Sequence, residues 1–253
     1  MNALLAPLQL TAAQLGIAMF VVFGAAVVRG YSGFGFAMVA VTGLSLLRPP
    51  AEIVPMVLAL EIAASVQLLP SVWRDVDWRS LRWLLVGMVA STPLGVWVLA
   101  SAPAAATRML VSVAVLIASV ALWRGFSLRQ IPGPGATFAT GAASGLLNGS
   151  AAIGGPPAIL FYFSSPAGAA VSRASLIIYF LGTDIVSAGF GAAYGLLTAE
   201  ALLRAVALLA PVGVGVVIGN RRFIQSNPES FRRIVLVLLM LLSIAGLIRA
   251  ALG

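Results

Sequence analysis

The sequence contains the stretch Arg29-Gly-Tyr-Ser-Gly-Phe-Gly-Phe36 in the middle of a long apolar segment, residues 11–47. A second stretch, Asn148-Gly-Ser-Ala-Ala-Ile-Gly-Gly-Pro-Pro157, interrupts the apolar residues 136–165 in the same way. Glycine and proline at this density break a helix. In lipid, an unwound backbone persists only where protein buries it or where it lines a cavity. The two interruptions are therefore the first candidates for a functional site.

The rest of the sequence has the composition of a membrane protein. Of its 253 residues, 61% are hydrophobic and 9% are charged, whereas soluble domains are about 45–50% apolar and about 25% charged. Runs of about 20 apolar residues, enough to cross about 30 Å of hydrocarbon, predict single membrane crossings. These runs lie near residues 53–72, 82–101, 107–124, 173–194, 201–219 and 233–250.

Missing residue types exclude several chemistries. The chain has no Cys and no His. This excludes Ser/His and Cys/His nucleophile pairs, zinc sites of the usual kind, haem bound through His or Cys, and disulfides. We therefore predict no enzymatic activity, no cofactor and no metal site. The net charge of +8 is explained by arginines on cytoplasmic loops, without a nucleic acid partner. The glycine-rich stretches lack the Lys of a phosphate-binding loop, so gradients rather than ATP would drive any transport.

The two halves of the sequence resemble each other. Landmarks match in order at a nearly constant shift of 118 to 125 positions: Gly30 with Gly149, Gly35 with Gly154, Pro93 with Pro211, and Arg108 with Arg233. The sequence therefore predicts two copies of one unit, residues 1–129 and residues 130–253, within one integral membrane domain.

Arginine placement predicts that the two copies are inverted. The loops 73–82, 124–134 and 220–232 are rich in Arg, which places them in the cytoplasm. Two crossings lie between the second and third of these loops, so the broken segment 136–165 must begin and end on one side. The predicted fold is all-α and polytopic: two inverted repeats, each with a glycine-interrupted re-entrant or short-helix pair plus three membrane helices. This architecture is typical of secondary transporters.

Two motifs resemble a known family. They are Gly30-Tyr-Ser-Gly-Phe-Gly-Phe-Ala-Met-Val-Ala-Val41 and Gly145-Leu-Leu-Asn-Gly-Ser-Ala-Ala-Ile-Gly-Gly-Pro-Pro157, and they resemble the paired glycine motifs of the TauE/SafE sulfite exporter family. The resemblance covers nearly the whole chain. It implies a multi-pass protein of the bacterial inner (plasma) membrane that moves sulfite, sulfonates or related organosulfur anions, usually outward.

The chemistry of anion binding points to the same two interruptions. A small oxyanion is bound by converging backbone N–H groups and by the positive end of a helix dipole. Helices that begin near Gly35 and after Pro157 would supply both. The alternative is that these glycines only allow close helix packing, as we also expect for Gly141-x-x-x-Gly145 and Gly191-x-x-x-Gly195. The predicted substrate-binding residues are Arg29, Gly30, Tyr31, Ser32, Gly33, Gly35, Asn148, Gly149, Ser150, Gly154, Gly155 and Pro156.

Arg29 is the predicted charged contact to the anion. Apolar residues flank it on both sides. A buried arginine is costly in a membrane, and its planar guanidinium matches an oxyanion. The alternative places Arg29 at the cytoplasmic interface. For Arg173, which begins a predicted helix, we predict an interfacial position.

Two acids lie near the centres of predicted membrane helices, Glu61 in the first copy and Asp184 in the second. At a shift of 119, Asp184 falls on Ser65, one helical turn from Glu61 and on the same face. A carboxylate is costly to keep charged in a membrane, so either acid is a candidate to carry a proton, to bind Na⁺ or to pair with Arg29. The alternative is a hydrogen-bonded packing residue.

The sequence thus predicts a secondary transporter that exports small sulfur-containing anions, with Glu61 and Asp184 coupling transport to protons. The alternative is an uncoupled channel for small anions. The expected partners are a small anionic substrate and the lipid bilayer, and the pairing of two chains in a homodimer is left open. An intramembrane enzyme or a receptor subunit is disfavoured.

Overall fold

The computed structural model describes residues 11–44, 47–101, 130–151 and 155–225, and isolated positions between 109 and 128 and from 227 to 248. The predicted crossings 107–124 and 233–250 lie largely outside these residues. Within the four continuous ranges the regular elements are eight α-helices and one 3₁₀ turn, Trp73–Asp75. The helices are α1 Ala12–Ser32, α2 Phe36–Leu44, α3 Pro50–Val72, α4 Trp78–Ser101, α5 Pro134–Ala151, α6 Gly155–Ser164, α7 Ala169–Ala193 and α8 Ala199–Gln225.

Five of these helices, α1, α3, α4, α7 and α8, contain a segment long and apolar enough to cross a membrane. Four of the predicted crossings, 53–72, 82–101, 173–194 and 201–219, coincide with α3, α4, α7 and α8. The all-helical prediction is confirmed for the described residues, and the chain is a multi-pass membrane protein.

The ends of α1 are set by local sequence. At its start, the Thr11 hydroxyl accepts from Gln14 N–H at 3.2 Å and the Gln14 side chain accepts from Thr11 N–H at 2.9 Å, which is a capping box. At its end, Gly33 adopts a left-handed backbone with φ of 82°, and its N–H donates to Arg29 O at 2.8 Å. Gly35 is also left-handed, with φ of 89°. Only glycine takes this conformation without strain.

The first break is narrower than the predicted interruption. It covers only Gly33, Phe34 and Gly35, because the helix continues through Arg29 and Ser32. A single glycine inside a helix, such as Gly30, costs about 1 kcal/mol relative to Ala. That cost is too small to end a helix, so the break forms only where the backbone becomes left-handed.

The helices on both sides of the second interruption extend further into it than predicted. α5 extends to Ala151, so Asn148, Gly149 and Ser150 are helical. α6 begins at Gly155 and not after Pro157, and its prolines occupy its first turn. Proline is well accommodated there because the first N–H groups of a helix have no intrahelical acceptor.

The segment that contains α5 and α6 begins and ends at one end of the molecule. Leu128 N–H donates to Ser164 O at 2.6 Å, so the chain before α5 lies beside the end of α6. Near the same point, the hydroxyls of Ser80 on α4 and Tyr162 on α6 lie 3.1 Å apart. Thr137 of α5 and Ser80 line one pocket. The two helices therefore form a hairpin.

Glycines bring two helix pairs, α4 with α5 and α1 with α8, into very close contact. A Cβ atom added at Gly87, Gly141 or Gly145 would collide with the partner helix in the first pair, and one at Gly30 or Gly219 would do so in the second. Small residues allow such an approach of helix backbones. The packing role predicted for Gly141 and Gly145 is confirmed.

The packing role predicted for Gly191 and Gly195 is not supported by the described residues. An added Cβ at either position would meet no other described atom within 4 Å. Gly191 instead borders a small pocket, and none of the eight described helices brings its backbone close to it. Gly195 has φ of 72° and follows the end of α7, where a left-handed glycine terminates a helix.

The helix contacts are symmetric when α1–α4 are exchanged with α5–α8. The contact of α1 with α8 then corresponds to that of α5 with α4, and the contact of α3 with α8 corresponds to that of α7 with α4. Helix α3 packs against α7, its own counterpart. The two halves therefore interlock, each closing on elements of the other.

We predict that Gly141→Ala destabilises the protein. The new methyl group would meet the backbone of Leu84, and overpacking of this kind costs about 1–3 kcal/mol. The thermal midpoint in detergent, measured by loss of the monodisperse chromatographic peak, should fall by several degrees. Gly24→Ala is the matched control, because its methyl group would meet no described atom within 4 Å. Equal midpoints for both variants would contradict the packing role.

Candidate functional site

Arg29 lies in the protein interior, at the last turn of α1. Its side chain is 0% exposed. One terminal nitrogen, Nη1, donates to Gly33 O and lies 3.4 Å from Oε1 of Glu61. The other, Nη2, donates to the Ser65 hydroxyl at 2.6 Å. The guanidinium thus joins the first break to α3.

Phe180 of α7 completes the surroundings of Arg29. The guanidinium carbon lies 5.0 Å from the centroid of the Phe180 ring, a distance at which a cation is attracted to an aromatic face. A Cβ atom added at Gly155, the first residue of α6, would lie 3.6 Å from Cζ of the same ring. The start of α6 in the second half therefore adjoins the ring that covers Arg29 of the first half.

A second polar cluster lies between α5 and α7. The Asn148 amide donates to Oδ1 of Asp184 at 3.3 Å and to the Ser187 hydroxyl at 3.1 Å. All three residues are buried, and Asp184 is 0% exposed. Asp184 interacts electrostatically with Glu61 and Arg29, so the two clusters form one charged centre.

The two clusters occupy equivalent positions in the two halves. At a shift of 119, Arg29 corresponds to Asn148 and Ser65 corresponds to Asp184. The bond from Arg29 to Ser65 and the bond from Asn148 to Asp184 both join residues 36 positions apart. One interhelical bond is thus repeated with different chemistry: the first half carries a cation and the second half carries an acid.

Two buried polar atoms of this centre, Nε of Arg29 and Oδ2 of Asp184, have no hydrogen-bond partner among the described residues. A buried polar atom without a partner is costly, by about 1–3 kcal/mol or more for a charged group. Such atoms require an explanation, and a binding site for a ligand is one. One of the two is a donor and the other is an acceptor.

Arg173 is buried and not interfacial, so that prediction is wrong. It is 4% exposed and donates to the carbonyls of Gly30 and Tyr31 and, at 2.8 Å, to the Asn220 side chain. Its guanidinium carbon lies 4.2 Å from the ring centroid of Phe223. The last carbonyls of α1 have no partner within the helix, and a cation is favoured at that end. Arg173 therefore ties the end of α1 to α8.

The predicted substrate-binding residues fall into three groups. Arg29 lies in the charged centre with Asn148, and its burial excludes the interfacial alternative. Gly30 and Gly149 face the backbone of a neighbouring helix, which is the packing alternative. The remaining described residues, Tyr31, Ser32, Gly33, Gly35, Ser150, Gly155 and Pro156, lie at or beside the breaks. Gly154 lies outside the described residues.

Two predicted hydroxyl donors are bonded to nearby carbonyls. The Ser32 hydroxyl lies 2.7 Å from Phe34 O and accepts from Phe34 N–H at 3.3 Å. The Ser150 hydroxyl donates to Leu147 O at 3.1 Å. These bonds satisfy backbone groups at the helix ends. Their role as substrate ligands stays a prediction.

Residue-by-residue reasoning missed several members of the centre, namely Ser65, Phe180, Ser187 and the clamp formed by Arg173 with Asn220. Only Ser65 had a usable signal, because the repeat superposition places it under Asp184. A phenylalanine or a serine in an apolar helix does not reveal which helix face it occupies. Their partners become visible only when the helices are packed.

Comparisons with known proteins agree with the motif resemblance. A family model described as "Sulfite exporter TauE/SafE" matches residues 18–246. A protein of Cupriavidus necator, named "Probable sulfite/organosulfonate exporter TauE", is 30% identical over 213 residues, which cover 80% of this chain and 82% of that protein. No solved structure matches this chain.

We predict that the ion pair of Arg29 with Glu61 behaves as a unit. Removing one partner of a buried pair leaves a charge uncompensated, at a cost of about 3–5 kcal/mol. Arg29→Gln should therefore lower the thermal midpoint strongly, and the double variant Arg29→Gln/Glu61→Gln should recover part of the loss. The measurement is a double-mutant cycle of thermal midpoints in detergent.

The control cycle uses Arg48 and Glu52, whose side chains are 30% and 41% exposed at a distance of 3.5 Å. An exposed pair contributes about 0–1 kcal/mol, so this cycle should show little coupling. Additive losses in the Arg29 and Glu61 cycle would contradict the buried pair.

Proposed function

This chain belongs to the TauE/SafE sulfite exporter family, and on that premise we propose that it is a secondary transporter that binds a small sulfur-containing anion at Arg29. The family consists of transporters and not of enzymes. Transport of sulfur-containing anions follows from family membership. The site, the direction and the coupling are the proposed parts.

One observation carries the choice of site: Arg29 is a fully buried cation whose Nε donor has no partner among the described residues. Sulfite and sulfonate groups present three oxygens around one sulfur atom. The edge of a guanidinium formed by Nε and one terminal nitrogen can donate to two of these oxygens in parallel. The Ser65 hydroxyl, 2.6 Å from Nη2, lies beside that edge and can contact the same anion.

Glu61 is proposed to hold Arg29 when no anion is bound. Its carboxylate lies 3.4 Å from Nη1, longer than the distance of about 2.7–2.9 Å typical of a charge-assisted hydrogen bond. A loose pair still compensates the buried charge, and it leaves the donors at Nε and Nη2 directed elsewhere. An arriving anion therefore does not have to break a tight carboxylate contact.

The two short helices α2 and α6 are proposed to point their positive ends toward the anion. Each follows a break and begins at repeat-equivalent positions, Phe36 and Gly155. The contact of Gly155 with Phe180, which covers Arg29, supports this placement for α6. Positive helix ends that meet near the middle of the membrane are the usual anion site of inverted-repeat transporters.

Inverted orientation of the halves, export as the direction and the bacterial inner membrane as the location are further proposals. The exchange symmetry of the helix contacts supports two equivalent repeats. The α5–α6 hairpin, which begins and ends at one end of the molecule, supports an odd number of crossings in each repeat. The relative's printed name supports export of sulfite or organosulfonates.

Coupling to protons is proposed through the acids of the centre, Glu61 and Asp184. Both are buried beside Arg29. Three charged groups in an apolar interior tolerate a further charge poorly, so binding of an anion favours uptake of a cation. An uncoupled channel is the second candidate, since the same site could pass anions without proton transfer.

We predict that Arg29→Lys weakens anion transport. Lysine keeps the charge but loses the planar fork, and one hydrogen bond to a charged group is worth about 1.5–3 kcal/mol. The anion concentration at half-maximal flux into proteoliposomes should therefore rise about 10- to 100-fold. Sulfite and methanesulfonate are the test anions, and Arg48→Lys, at a partly exposed pair, is the control. Unchanged half-saturation in Arg29→Lys would refute Arg29 as the anion contact.

We also predict uphill movement of the anion. Proteoliposomes would contain methanesulfonate at equal concentration inside and outside, with the membrane potential clamped at zero and a pH gradient imposed. A proton-coupled carrier should build up an anion gradient, since one gradient can drive the other only through obligatory coupling. A channel should leave the concentrations equal, and that outcome would select the second candidate.

A further inference from the structure

We infer that Asp184 is the residue that takes up a proton when the anion binds, while Glu61 serves as the permanent counter-charge of Arg29. This inference rests on the proposed function, because it concerns the same anion site. Under this assignment, the first half of the chain binds the anion and the second half binds the proton.

Glu61 already has a partner of opposite charge. Its Oε1 lies 3.4 Å from Nη1 of Arg29, and the side chains of the pair are 3% and 0% exposed. A guanidinium does not give up its proton in proteins. The negative charge of Glu61 therefore has a fixed cation beside it, and protonating Glu61 would remove the ion pair that Arg29 forms among the described residues.

Asp184 has a free acceptor. Oδ1 accepts from the Asn148 amide at 3.3 Å, and Oδ2 has no partner among the described residues. A proton can bind Oδ2 without breaking a hydrogen bond. The step forms one O–H bond and turns a carboxylate into a carboxylic acid, so no other bond changes and no further reactant is needed.

Repeat symmetry shows what the second half lacks. The Arg29 side chain donates to Ser65, and the equivalent bond in the second half runs from Asn148 to Asp184. The first half therefore has a cation built into its sequence at this position. The second half has a neutral amide beside an acid, so the direct hydrogen-bond partner of Asp184 carries no positive charge, and a proton from solution can supply one.

The charges around Asp184 favour uptake of the proton together with the anion. The charged and titratable groups that act on it among the described residues are Glu61 from α3, Arg29 from α1 and Tyr179 from α7 itself. With Tyr179 neutral, the three ionised groups sum to one negative charge. A bound monoanion makes this sum more negative, and a proton on Asp184 restores it. Buried net charge is costly, so the two ligands bind cooperatively.

A small pocket of about 10 Å³ near the end of α7 borders this cluster at Ser187. Leu196 and Leu197, in the turn after α7, line it together with Gly149 and Ser187. A volume of about 10–15 Å³ is enough for one water molecule. Ser187 accepts from Asn148 at 3.1 Å, and Asn148 also contacts Asp184. A water molecule in this pocket would lie beside Ser187, which is linked to the acid through Asn148.

Infrared difference spectroscopy of the protein in lipid films tests this assignment. Methanesulfonate is the probe, because it stays a monoanion and its S–O bands report whether it is bound. Spectra with and without the probe would be recorded over a neutral to alkaline pH series. In the wild type we expect bound probe and a new C=O band of a protonated carboxyl group. The carboxyl band should be lost in Asp184→Asn and kept in Glu61→Gln.

Two further comparisons keep the test decisive. Asp184→Glu should show a carboxyl band at a shifted frequency, which supports the assignment even where Asp184→Asn fails to fold. Bound probe without a carboxyl band in the wild type overturns this inference and leaves the proposed anion site intact. A carboxyl band that persists in Asp184→Asn and disappears in Glu61→Gln assigns the proton to Glu61 and also overturns it. Absence of bound probe overturns the proposed function and this inference with it.

Discussion

Burial of the Arg29 guanidinium is the constraint on which the rest of this structure depends. A cation inside a membrane protein requires compensation from every direction, and Arg29 obtains it from three elements: the Gly33 carbonyl at the break, Glu61 and Ser65 on α3, and Phe180 on α7. The helix must end within one turn after Arg29 for the Gly33 carbonyl to be available to its side chain, and α3 and α7 must pack beside it. The position of the break and the packing of α3 and α7 therefore both serve to compensate the buried charge of Arg29.

Around this centre, glycine packing supplies the frame. The pairs α1 with α8 and α4 with α5 approach so closely that an added methyl group would collide with backbone, and each pair joins one half of the chain to the other. Arg173 strengthens the first pair, because it binds the end of α1 and Asn220 of α8 at once. The symmetric backbone carries asymmetric chemistry, with a cation at position 29 and an amide at position 148.

Much of the architecture follows from the sequence, since apolar runs long enough to cross a membrane leave little alternative to helices. The same reasoning located Glu61 and Asp184, and the repeat placed Ser65 opposite Asp184 without identifying it as a member of the centre. It misplaced the limits of both breaks because glycine density was taken as the signal. A glycine such as Gly149 is compatible both with a break in a helix and with a close contact between helices. The residue type alone therefore does not distinguish the two roles. It also placed Arg173 at an interface, because a charge near a helix start has no partner visible in sequence.

The sequence by itself determined the all-helical membrane fold, the family and the two acids within predicted membrane helices, since these depend on composition and spacing along the chain, and repetition along the chain predicted two related halves. Only the tertiary structure decided which glycines pack, that Arg29 is buried with Glu61, and that Asp184 keeps an oxygen without a partner. These features depend on which helix faces meet, and contacts between residues on different helices, tens of positions apart or more, are not encoded in any local pattern.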